Sequence, residues 1–122
     1  MTRHDDTVRL RHMLDHAEEA VEMCRQHNRQ DLDTDRQLSL ALTHLVVIVG
    51  EAAARISPQG RERWATIPWA GVVGLRNRLI HGYDEVDLNI LWDIIRQDLP
   101  TLTKELKKIL GGASGQRKED GG

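Results

Sequence analysis

Apolar residues return every three or four positions along most of the chain, the spacing of helices with one buried face. Leu10, Met13, Leu14, Ala17, Val21 and Cys24 predict a first helix over about residues 6–27, with Asp6 or Thr7 as its cap. The polar stretch 28–33 breaks the pattern, and a second helix is expected from Asp33 or Thr34 to about Ile56, before Ser57-Pro58. Its main stripe is Leu38, Ala41, Leu42, Leu45 and Val49, but Leu40 and Val47 fall on roughly the opposite side. A helix apolar on two sides is normally covered on both. After a connection over 58–66 with room for a short helical turn, Pro68 suits the first turn of a third helix that Gly82 would end. Asp87 can cap a fourth helix, whose stripe Leu88, Leu91, Trp92, Ile95, Leu99, Leu102, Leu106, Ile109 and Leu110 is the longest in the chain. Pro100 is expected to bend it, and Ile90 and Ile94, off the stripe, are expected to offer surface to a partner subunit together with the second side of helix two. The predicted architecture is all-α: an antiparallel four-helix bundle over residues 1–110, with a short extra turn before the third helix. Residues 111–122, Gly-rich and polar, are predicted to be a disordered tail.

Composition narrows the function classes. At 122 residues the chain is one domain, and with no Phe and one Tyr its core must be aliphatic, which suits packed helices. A formal charge of −2 opposes a general basic surface for nucleic acid, so any RNA contact must be local. The single Cys24 excludes an intrachain disulfide and fits a reducing compartment; it reads as a small buried hydrophobe. The first residues carry no apolar segment like a secretory signal, and no apolar run is read as spanning a bilayer, so a cytoplasmic protein without a membrane partner is expected.

Candidate chemistry concentrates in residues 76–83, Arg-Asn-Arg-Leu-Ile-His-Gly-Tyr, where a fixed cation, a titratable imidazole and a phenol lie close together. Arg76 can grip a phosphate through two donors, and His81 can exchange a proton near neutral pH. The pair suits RNA cleavage, in which the ribose 2′-hydroxyl attacks its own phosphate: a proton carrier and a cation for the developing charge suffice. Placed in the last turn before Gly82, His81 would also sit where the helix dipole favours imidazolium. In an unbroken helix, however, the two residues are about 140° apart in rotation. Either the helix unwinds near Gly82, a cleft wraps around it, or a second subunit brings its own copy.

Together with Val49-Gly50-Glu51-Ala52-Ala53, Ile67-Pro68-Trp69, Gly74-Leu75, Val86-Asp87 and Trp92-Asp93, the ordered set Arg76, His81, Tyr83 resembles the HepT-like HEPN toxins. The resemblance implies a HEPN bundle and the toxin of a type VII HEPN/MNT toxin-antitoxin system. It further implies a metal-independent endoribonuclease whose composite site lies at a homodimer interface, with Arg76 and His81 catalytic. Tyr83 would then be the residue AMPylated by an MNT-type nucleotidyltransferase antitoxin, where added bulk and negative charge would repel the RNA phosphate. No cofactor is implied. Asn77 and Arg78 are candidate RNA-binding residues, each also explicable as an ordinary exposed polar group.

The remaining candidates carry less. His12 and His16 have zinc-compatible spacing but lack further ligands, and solvent exposure is the simpler reading. His44 and Glu51, on the second side of helix two, could approach the motif. Arg55, Arg61 and Arg63 could form a positive lip, against the plainer reading of a solvated connection. Trp64, Trp69 and Trp92 suit packing at the bundle ends more than base stacking. The rival reading is a HEPN interaction module without turnover.

Overall fold

The computed structural model describes residues 3–121, with side chains described for residues 5–111. It is an all-α bundle, as its sequence pattern predicts. Helix α1 (Arg3–Arg25) packs along α3 (Arg36–Ala54) and α8 (Leu99–Gly121). Between them lie the short helices α2 (Asp31–Thr34), α4 (Pro58–Arg63), α5 (Trp69–Val73), α6 (Leu75–Leu79) and α7 (Leu88–Asp93). A two-stranded hairpin, β1 (Ile80–His81) with β2 (Glu85–Val86), is inserted between α6 and α7. The expectation of a disordered tail over 111–122 falls, past Gly111, outside the residues whose side chains are described.

The aliphatic stripes converge on one core. Leu10, Met13, Ala17, Leu42, Val46, Val49, Leu79, Leu91, Leu99 and Leu106 are all fully excluded from solvent. Cys24 is buried among them, and that burial raises its thiol pKa, with Arg96 pulling the other way; the sulfur is held as an unreactive thiol. Of the tryptophans, Trp69 is buried and donates its indole N–H to the Trp64 carbonyl, 3.1 Å, while Trp64 and Trp92 pack partly buried against the core. Packing accounts for all three.

Several boundaries differ from the pattern-based expectation. Asp6 does not cap α1. It lies inside the helix, 3% exposed, and its carboxylate accepts hydrogen bonds from the Ser57 backbone N–H, 2.8 Å, and from the Ser57 hydroxyl. Ser57 is itself the N-cap of α4, accepting from Gly60 N–H at 3.0 Å. The start of α3 belongs to Asp35, which accepts from Leu38 N–H at 3.0 Å; Asp33 and Thr34 belong to α2, whose Leu32 is buried. Preceding it, the Asn28 backbone N–H and His27 hold the Asp31 carboxyl below its usual range.

The fourth helix is not one regular α-helix. Asp87 caps α7 as expected, accepting from Ile90 N–H at 3.0 Å, but Ile94–Asp98 forms a π turn before α8. The wide turn immediately precedes Pro100, whose ring would otherwise press on the carbonyl four residues back. Ile94, three residues after the buried Leu91, faces the core and is completely buried, and the wide turn that begins there brings Leu99 onto the same face. Ile94 therefore offers no surface to a partner, and Ile90 is half-buried against the core.

By length and composition Arg36–Ala54 could cross a membrane, contrary to the expectation that no segment would qualify. One side of this helix is core: Leu38, Leu42, Leu45, Val46 and Val49 are buried. The other side leaves Leu40 51% exposed, with His44 and Glu51 also exposed along the same stripe. This second side is mixed: Leu40 is open to solvent, Val47 is half-buried, and His44 and Glu51, between and beyond them, are polar.

Candidate active site

The motif is carried by two short helices and a hairpin, not by one helix. Helix α5 ends at Gly74, and α6 buries Leu75 and Leu79 while turning Arg76, Asn77 and Arg78 to solvent. Gly50 on α3 makes this approach possible, since a β-carbon there would stand 3.1 Å from the Val72 carbonyl oxygen. The resemblance had singled out Gly50 by sequence alone, and close packing of α3 under the motif is its physical role.

Helix α6 stops at Leu79, one turn earlier than expected. Ile80 takes an extended conformation, the Asp87 N–H donates to the Leu79 carbonyl at 2.9 Å, and the chain returns through Gly82, Tyr83 and Asp84. Gly82 has φ of 67°, a left-handed conformation that glycine adopts without strain, so its role is to turn the hairpin rather than to end a helix. His81 consequently lies on β1, and the helix-dipole reason for favouring its charged form does not apply. Of the three geometries open to the pair, unwinding of the helix between Arg76 and His81 is the one observed within the chain.

Arg76, Asn77, His81 and Tyr83 are all exposed, and none of their side chains holds a hydrogen bond or ion pair among the described residues. Tyr83, 88% exposed at the hairpin tip, is more exposed than any other large hydrophobic residue described. Arg78 differs: its Nη1 donates to Asp98 Oδ2 at 2.6 Å, tying α6 to the π turn. Asp98 is a partner that helical periodicity could not reveal, because it is twenty residues away and reaches Arg78 only through the π turn. Behind this pair lies a cleft of about 450 Å³, floored by Val72, Leu75, Leu99 and Leu102 and walled by Arg78 and Asp98.

The chain matches the family model "Ribonuclease HepT-like" over residues 13–109, a span that contains α3, the motif and the core of α8. The chain belongs to the HepT-like ribonuclease family. It is 31% identical over 109 residues to "Putative RNase MJ1380" of Methanocaldococcus jannaschii, covering 89% of this chain and all of that one. It is 33% identical over 101 residues to "Putative RNase TTE0752" of Caldanaerobacter subterraneus subsp. tengcongensis, covering 83% and 90% of the two chains. A third relative, "Probable ribonuclease HepT" of Thermococcus cleftensis, is 30% identical over 95 residues, covering 75% of this chain and 86% of its own. No solved structure matches the chain.

Within this HepT-like chain the other basic and imidazole candidates find mostly structural places. Arg61 Nη2 donates to the Ala54 carbonyl at 3.2 Å, closing the end of α3, and Arg63 lies over the Trp64 ring at 5.8 Å. Neither forms a free positive lip. Arg55 lines a shallow depression of about 390 Å³ with Arg9, His12, Ile48 and Glu51, on the side of α3 that carries the exposed stripe. His16 makes a bond between its Nδ1 and the His12 carbonyl at 2.8 Å, and no group of three or more His, Cys, Asp or Glu among the described residues is placed to hold a metal ion.

Proposed function

We propose that this HepT-like protein is a metal-independent endoribonuclease, acting as the toxin of a type VII HEPN/MNT pair in the cytoplasm. The observation that carries the reading is the free, exposed Arg76–His81–Tyr83 set on the α6–hairpin segment of a chain whose relatives are named as RNases. His81 exchanges a proton with the 2′-hydroxyl or the leaving 5′-oxygen, and Arg76 neutralises charge gathering on the phosphate. Asn77 contacts the same phosphate. Arg78 contributes to RNA binding only when released from Asp98. Purified protein on total RNA, with Arg76→Ala and His81→Ala beside it, tests the assignment: cleavage by the wild type and its loss in both variants are expected, and equal cleavage by all three would contradict it.

The site is composite, formed where two copies meet. Arg76 and His81 stand on an open surface within one chain, and the exposed Leu40 stripe of α3 supplies apolar area for a second copy. A monomeric mass by light scattering at micromolar concentration would remove this part of the reading.

Tyr83 is the point of control. Its hydroxyl stands at the hairpin tip two residues beyond His81, so that a nucleotidyl group attached there brings a phosphate to the entrance of the site. Co-expression with an MNT-type nucleotidyltransferase is expected to add AMP to the Tyr83 peptide, seen by mass spectrometry, and to suppress cleavage. Tyr83→Phe should take up none. AMP on another residue, or full cleavage by the modified protein, would overturn this mode of neutralisation.

The low net charge and the engagement of Arg78 with Asp98 favour one alternative, a non-catalytic HEPN module that docks a nucleotidyltransferase partner. In that case RNA stays intact while Tyr83 is still modified.

A further inference from the structure

The hairpin sets a carboxylate opposite the candidate imidazole. In its antiparallel register Ile80 pairs with Val86, and His81 pairs with Glu85. Successive side chains of a strand leave on opposite faces, so Ile80 and Val86 share one face while His81 and Glu85 share the other. Burial agrees with that division: Ile80 and Val86 are half-buried against the core, whereas His81 and Glu85 are exposed. The apolar pair therefore fixes which way the polar pair faces, and a slip of one residue would bury both polar side chains.

Directly opposed residues on one face of such a ladder have Cβ atoms about 4.5–5.5 Å apart. From that separation a rotation of the glutamate side chain brings its carboxylate to a ring nitrogen of the histidine. Neither side chain has a hydrogen-bond or ion-pair partner among the described residues, so each is free to turn toward the other. Asp84, the neighbouring carboxylate, lies in the turn and has no position in the ladder. Glu85 alone is held in register with His81.

We propose that Glu85 is a positioning residue for His81: its carboxylate accepts the imidazole Nδ1–H, selects that tautomer, and leaves Nε2 to exchange the proton with RNA. This role deepens the ribonuclease reading and rests on it. The pairing also has an electrostatic consequence. A carboxylate left unpaired beside the substrate phosphate would repel it, whereas one engaged with an imidazolium presents less negative charge.

The test uses full-length protein labelled with 15N-histidine, at a pH where the imidazoles are neutral, with His81→Ala identifying the His81 signals. Wild type is expected to show one dominant His81 tautomer, Glu85→Gln a mixture, and Glu85→Asp an intermediate. In RNA cleavage Glu85→Gln is expected to lower kcat about tenfold or more, a part of the roughly 10²–10⁴ that general acid–base catalysis contributes, with KM unchanged or lower. Glu85→Asp should restore part of the loss. Unchanged His81 signals in Glu85→Gln would overturn the pairing. A lower KM at unchanged kcat would overturn the positioning role and reduce Glu85 to a repelling surface charge. A wild-type protein that cleaves no RNA would defeat the ribonuclease reading, while the imidazole spectra would still decide whether the pair exists.

Discussion

His81→Ala is expected to lower RNA cleavage by about 10²- to 10⁴-fold, the contribution of a well-placed general acid or base, without lowering stability. The second half of that expectation follows from the fold. The His81 side chain is exposed and makes no hydrogen bond among the described residues, so truncation removes chemistry and leaves the packing of Ile80 and Val86 intact. Arg76→Ala should cost about 10²- to 10³-fold for the same structural reason, since it removes a donor to developing charge and no core contact. Arg76→Lys should recover only part, because an ammonium is a point charge without the guanidinium fork. Cleavage rates measured beside thermal unfolding curves check the pair. A large fall in melting temperature in either variant would mean that the residue holds the hairpin instead.

Asp6→Ala is expected to have the opposite signature, a large loss of stability through a residue remote in sequence from the motif. The buried carboxylate satisfies both the backbone N–H and the hydroxyl of Ser57, fifty-one residues away. Truncation takes the acceptor from both donors and opens space beside Gly60. The cost is about 3 kcal/mol, the lower end for two hydrogen bonds to a charged group at roughly 1.5–3 kcal/mol each, since the Ser57 hydroxyl can turn to another acceptor. For a chain of this length that corresponds to a fall of about 10–12 °C in melting temperature. Asp6→Asn, which keeps one acceptor, should lose less. A melting temperature within a degree or two of wild type for Asp6→Ala would show that water replaces the carboxylate without penalty.

These residues also mark how far the fold can be read from sequence. Three-and-four periodicity located the long helices and nearly all of the core, because burial of one face is what that spacing encodes. It missed the role of Asp6, which looks like a cap and is instead a long-range acceptor. It left Ile94 off the stripe, since following Ile95 on to Leu99 hides the wide turn that lets both Ile94 and Ile95 face the core, and it ran the motif helix through His81 because strands of two residues are too short to display an alternating pattern. The motif itself stood out as a candidate from residue types alone. Its geometry was not, for the hairpin depends on Gly82 turning left-handed and on Val86 pairing with Ile80. The same pairing that corrected the placement of His81 brought Glu85 to it. Asp98 was equally hidden, because a salt bridge between separate helical segments leaves no trace in local spacing.

The central claim is that this chain cleaves RNA through His81 and Arg76 by attack of the ribose 2′-hydroxyl, and the ends it leaves report that chemistry most directly. A defined RNA treated with purified protein in excess EDTA should yield 5′ fragments ending in a 2′,3′-cyclic phosphate and 3′ fragments beginning with a 5′-hydroxyl, with neither product formed by His81→Ala. Fragments carrying a 5′-phosphate and a 3′-hydroxyl, cleavage that requires added magnesium, or undiminished product from His81→Ala would contradict it.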